Sequence, residues 1–197
     1  MSEHQGIDKG IVDAAQALVV GAGLSSLTID RLAAASGTSR MTLHRRGIKR
    51  TNVVDALVQR AGEAYVAALW PALTAPGTGA ERLAMALDAI CATADDNLAL
   101  FSGLFGEPDS PFHRTGGHDE DRETADLFVD PLARLLRDGA LDGTIAAAPD
   151  VGETAAVLFN LAGWGYIHLR HAQGWSAARA RPAVIAFALA AVGVAPS

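Results

Sequence analysis

Cysteine is almost missing from this sequence: Cys91 is the only one in 197 residues. That excludes a disulfide framework and any cysteine-rich metal site, and it fits a reducing compartment. Lysine is nearly as scarce, with Lys9 and Lys49 standing beside 14 arginines. No apolar run reaches bilayer length. The longest, from Ala183 to Ala195, has 13 residues against the roughly 20 a spanning helix needs, so it reads as a buried helix and no membrane partner is expected. The opening MSEHQGIDKG lacks the basic, apolar and small-residue succession of an export signal, and a cytoplasmic location is expected. Also missing are a Gly-x-Ser-x-Gly elbow, a glycine-rich phosphate loop and a cysteine with catalytic partners. No enzymatic activity and no cofactor are therefore expected, and Cys91 reads as a core filler. His113, His118, Asp119, Glu120 and Asp121 show no helical i, i+4 ligand spacing, so no metal is expected there.

What the chain has in abundance is alanine, 40 residues of it, within a composition that is 50% hydrophobic and 19% charged. Such a chain buries a core, and the best helix former in that quantity, without alternating β-branched runs, predicts an all-α fold. Helical spacing appears over 7–21 (Ile11, Ala14, Ala15, Leu18, Val19), with Asp8 as a cap and Gly21 and Gly23 at the end. A short helix follows Thr28 and stops at Gly37. Another opens at Ser39 and breaks at Gly47, and a long amphipathic one runs from 49 to 70, ended or kinked by Pro71. Further helices are expected over 81–105, divided near Asp95, then 123–137, 151–173 and 177–194. Residues 106–122, rich in glycine, proline and charge, read as irregular. The division into parts is expected near residue 55, giving a head of 1–55 and a body of 56–197.

The net charge of −6 speaks against a polyanion partner only as an average. Residues 1–60 carry 8 basic and 5 acidic side chains, a net of +3, and the rest carry 8 and 17, a net of −9. Between 31 and 50 stand Arg31, Arg40, Arg45, Arg46, Lys49 and Arg50 with no acid. A basic run is often only a solvated face. Here it coincides with two short helices joined by Ser36-Gly37-Thr38-Ser39, the arrangement of a helix-turn-helix. Small Ala33 permits a close crossing, Leu43 plugs the core below it, and Leu18, Leu27, Ile29 and Leu32 complete that core. Arg40, Met41, Thr42, His44 and Arg45 then face outward, where Arg40 suits a guanine edge and Thr42 a thymine methyl or a phosphate.

On LTIDRLAAASGTSRMTLHRRGIKR at 27–50, placed after one helix and before a long one, the sequence resembles the TetR family of bacterial transcriptional regulators. The resemblance is specific over 7–60 and rests on length and helix order beyond. It departs from the family's Tyr-x-His-Phe, since His44-Arg45-Arg46 runs straight into Gly47, and from the family's valine at Thr38. It implies a homodimer that binds a palindromic DNA operator and lets go when a small-molecule effector fills the body. His44 and Arg46 then stand as phosphate contacts, and the family's lysine at the next helix matches Lys49 or Arg50. The capping hydroxyls Thr28 and Ser39 complete the candidate DNA set. Repression is the leading expectation, with activation left open.

In the body, Trp70, Met85, Phe101, Leu104, Phe105, Phe112, Phe128, Trp164 and His168 are candidates for an apolar effector pocket. Ala155, Ala162, Gly163, Val184 and Phe187 are candidates for a four-helix dimer interface, with burial inside one subunit as the alternative. The rival reading of the whole chain is a helical small-molecule-binding protein whose head no longer binds DNA.

Overall fold

The computed structural model describes residues 7–104 and 125–194, and among them every regular element is helical. In chain order these are α1 (Lys9–Ala22), a 3₁₀ turn (Leu24–Ser26), α2 (Ile29–Ala35), α3 (Arg40–Arg45), α4 (Arg50–Thr74), α5 (Gly79–Asp96) and α6 (Leu98–Leu104). After a π-helical turn at Ala125–Val129 come α7 (Asp130–Asp142) and α8 (Val151–Asn160). A second π-helical turn (Leu161–Gly165) leads into α9 (Tyr166–His171), and α10 (Ala177–Ala191) closes the series. Residues 105–124, which include Phe105, Phe112 and the His113–Asp121 cluster, lie outside the described residues. Two compact units emerge: a head of residues up to 63 with 99–104, and a body of residues 64–98 and 125–194. The boundary thus falls eight residues beyond the expected position, inside α4, and α6 joins the head.

The head is assembled from apolar stripes on short helices. Ile11, Val12, Ala15 and Val19 of α1 meet Leu32 and Ala33 of α2, Leu43 of α3, and Val53, Val54 and Leu57 of α4. Leu100 and Leu104 of α6 complete this cluster. Gly103 lets α6 approach, because a Cβ there would collide with the Leu24 side chain. The starts of α1, α2 and α3 are each fixed by a side-chain cap, typically worth ~1 kcal/mol. Asp8 accepts from Gly10 N at 2.8 Å, Thr28 Oγ1 from Arg31 N at 3.3 Å and Ser39 Oγ from Thr42 N at 3.1 Å.

Within the body, α5 and α7 cross at two glycines: a Cβ on Gly79 would overlap the Gly139 backbone. The same corner is tied by Asp142, whose carboxylate accepts from the Thr144 hydroxyl at 2.5 Å and from Gly79 N at 2.6 Å. Those two bonds hold its pKa below the usual carboxylate value. Thr78 and Glu81 form a reciprocal capping box on α5.

Helix α4 runs through Pro71 to Thr74 where the sequence suggested an end or a kink. The helix continues past the missing N–H, and Leu69 and Ala72 on either side of it are buried. Its last carbonyls are satisfied by Arg82, whose Nε donates to Ala72 O at 3.1 Å while Nη2 bonds Asp138 at 3.0 Å. The expected single helix over 151–173 is interrupted by the π-helical turn at Leu161–Gly165, where two glycines in three positions weaken the ordinary ladder. Cys91 is fully buried beneath this turn, with Sγ 3.6 Å from Ala162 O. Burial pushes its thiol pKa up to about 12, the environment of a core filler rather than a nucleophile.

Candidate nucleic-acid interface

The turn between α2 and α3 depends on Gly37, whose φ of 65° lies in the left-handed region. Thr38 N donates to Ala33 O at 3.0 Å across it, and Leu43, fully buried, anchors α3 from below. With that face sealed, α3 must present its others. The Arg40 side chain is 72% exposed and Met41 is 73% exposed, and His44, Arg45 and Arg46 are exposed beside them. Thr42 is half-buried, and its hydroxyl lies 2.8 Å from Ser39 Oγ. The hydroxyl belongs to the cap, and the threonine methyl remains for an apolar contact.

Arg40 pairs with Asp30 of α2 at 2.9 Å. Both side chains are largely exposed, and such a pair contributes about 0–1 kcal/mol, so the guanidinium is readily given up to a stronger acceptor. Lys49 is exposed at the start of α4, where its N–H donates to Asn52 Oδ1 at 3.1 Å. Arg50 behaves differently. Its Nε donates to Leu27 O at 3.0 Å and its Nη2 to Leu24 O at 3.4 Å, so the guanidinium braces the carbonyls of the 3₁₀ turn. Of the two basic residues that begin α4, the structure exposes Lys49 and gives Arg50 an internal task. Thr28 is exposed, with its oxygen accepting the cap bond and its proton left to donate. Elsewhere in the head, Asp13 binds Lys9 and Arg60, each at 2.8 Å, and these contacts, Lys9 first, hold its pKa below the usual value.

The residues expected to line one effector pocket stand in different surroundings. Phe101 and Leu104 pack in the head core. Trp70 is 63% exposed, Met85 is exposed, His168 is exposed and Trp164 is half-buried in the π-helical turn. Phe128 is half-buried, stacked on Tyr65 with centroids 5.1 Å apart. Tyr65 and Phe159, its edge-on neighbour at 6.4 Å, were absent from the expected set. The available signal was a tyrosine among alanines and leucines on the core stripe of a helix.

The expected dimer residues also separate. Ala155, Ala162 and Val184 are buried within the body, Gly163 is half-buried, and Phe187 is 67% exposed. Burial inside the unit explains the first three. On α10 and α8 the exposed apolar residues include Phe187, Ala183, Ala186 and Ala190 on the first and Val157 on the second. Among the described residues no helix is long and apolar enough to cross a membrane.

No protein-family model and no curated relative matches the sequence. Solved structures do. A TetR-family transcriptional regulator from Thermus thermophilus aligns with a TM-score of 0.67 at 18% identity, over 96% of this chain and 100% of that one. A regulator of the TetR/AcrR family from Thermobifida fusca aligns at 0.68 and 18%, over 91% and 94%. A Saccharomonospora viridis protein described as a transcriptional regulator, in complex with choline, aligns at 0.72 and 21%, over 91% and 93%. Over nearly its whole length, head and body alike, the chain has the fold of TetR-family transcriptional regulators.

Proposed function

We propose that this protein is a TetR-family transcriptional regulator, a homodimeric repressor that leaves a palindromic operator when a small molecule binds its body. The observation that carries the reading is the sealed underside of α3. With Leu43 buried, a six-residue helix presents Arg40, Met41, His44 and Arg45 together, and a helix about 10–12 Å in diameter fits a major groove about 12 Å wide. Arg40 reads a guanine edge after leaving Asp30, and the methyl of Thr42 and the Met41 thioether suit a thymine methyl. Thr28, Arg46 and Lys49 contact phosphates, and the amides at the start of α4 favour the same charge. Ser39 acts through Thr42 by capping the helix.

One head makes too few contacts for selective binding, so two are needed, on half-sites about 34–36 Å apart. Phe187 and the alanine face of α10, with Val157, suit the pairing of two bodies. The choline held by the Saccharomonospora viridis structure supports a body that accepts small molecules. Effector binding favours a body conformation that moves α4, and operator affinity falls by the difference in binding energy between the two states.

The test is selection of bound fragments from random DNA by the full chain and by its Arg40→Ala and Lys49→Ala variants. A palindromic site should emerge. Arg40→Ala should relax one base position, at a cost of about 1–3 kcal/mol, while Lys49→Ala should weaken all sequences and reduce the salt slope by about one. No enriched site, or enrichment indifferent to both substitutions, favours a small-molecule-binding protein with an inactive head.

A further inference from the structure

We infer that Tyr65 is the polar anchor of a ligand site in the body, and that its ligand is an uncharged, largely apolar molecule carrying a hydrogen-bond acceptor. The inference rests on the reading of the body as an effector-binding unit and gives that effector a chemical class. The chain has only two tyrosines, and they make an internal comparison. Tyr166 is fully buried and donates its hydroxyl proton to Asp95 at 2.5 Å. Tyr65, only 3% exposed, has a hydroxyl with no hydrogen-bond partner among the described residues. A buried hydroxyl left unpaired destabilises the folded state, and phenylalanine would occupy the same volume without that cost.

The surroundings define what would pair with it. The ring stacks on Phe128 at 5.1 Å and meets Phe159 edge-on, and the two phenylalanines lie 5.1 Å apart. The three rings pack on one another as one apolar cluster beside the hydroxyl. Burial alone raises the Tyr65 pKa, with no charged neighbour contributing. The phenol therefore remains a proton donor at any physiological pH, and a charged ligand would gain no counter-ion from the described residues that shape its surroundings. A carbonyl, ether or hydroxyl oxygen on an apolar or aromatic body satisfies the donor and matches the apolar rings around it.

Acetophenone and cumene are near-isosteric probes that differ in the acceptor. Binding to the full chain is followed by saturation-transfer NMR, alongside benzoate and tetramethylammonium as charged probes and Tyr65→Phe as the variant. Acetophenone should bind at least tenfold tighter than cumene to the parent chain, and the two should bind alike in Tyr65→Phe. Benzoate and tetramethylammonium should bind more weakly than acetophenone. Without ligand, Tyr65→Phe should melt no lower than the parent. Absence of acetophenone binding, a preference that survives in Tyr65→Phe, a charged probe that binds as well, or a Tm lowered by several degrees would each overturn the inference. Fragment selection separates the two readings: a chain that selects DNA and ignores acetophenone defeats this inference alone, and one that binds acetophenone and selects no DNA defeats the regulator reading alone.

Discussion

At Gly21 and Gly79, both inside helices, the same substitution should act with opposite sign. A Cβ on Gly21 meets nothing within 4 Å, so Gly21→Ala should stabilise the head by about 0.5–1 kcal/mol through lost freedom in the unfolded chain. A Cβ on Gly79 meets the backbone of Gly139 and Asp138 on the neighbouring helix, which cannot rotate away. Gly79→Ala should cost about 1–3 kcal/mol. Urea unfolding monitored by circular dichroism should show the midpoint rising for the first and falling for the second at unchanged slope. A risen midpoint for Gly79→Ala would mean that the helix crossing is looser than the backbone geometry requires. In the sequence Gly79 stands in a loop-like TAPGTG, and nothing local marks Gly139, 60 residues on, as its partner. Arg50 was hidden for the same reason: the sequence shows a basic residue at a helix start, and only folding brings the Leu24 and Leu27 carbonyls within its reach.

At the scale of elements, periodicity and caps located the helices well, because spacing and hydroxyl caps are local properties. Asp8, Thr28 and Ser39 cap the helices assigned to them, and the division near Asp95 falls at Asn97. What a helix packs against is a tertiary property, which is why Phe101 and Leu104 were assigned to the wrong unit. The attachment of α9 to α5 was equally illegible. Asp95 receives the Tyr166 hydroxyl, Arg170 Nε at 2.6 Å joins it, and Arg170 Nη1 donates to Trp175 O at 2.7 Å. The Asp95–Arg170 pair is about one-fifth exposed, so water screens it only partly. Asp95→Ala strands a buried phenol and half of a guanidinium fork, and should cost about 2–3 kcal/mol. Asp95→Asn, which keeps one acceptor oxygen, should recover part of that loss. Thermal unfolding of both variants checks the order, and equal Tm values for all three proteins would show the network to be idle.

For the molecule as a whole, the sequence-derived charges of +3 up to residue 60 and −9 beyond it suit the proposed approach to DNA by the head, since an acidic body repels phosphate. Charge says nothing of how two heads would be paired in the proposed dimer, and there burial favours some apolar residues over others. Ala155, Ala162 and Val184 are already spent on the body's own core, whereas Phe187 leaves two-thirds of its surface in water beside three exposed alanines. Phe187→Asp should therefore leave the helical content intact and convert the proposed dimer to a monomer in light scattering at micromolar concentration. Operator affinity should drop by about 10²–10⁴, the factor that linking two binding modules supplies, and affinity for an isolated half-site should not change. The half-site measurement separates lost pairing from a damaged head, because α3 and Phe187 belong to different units. A Phe187→Asp protein that remains dimeric would place the interface on another face, and the exposed stripe of α10 would then need a different partner.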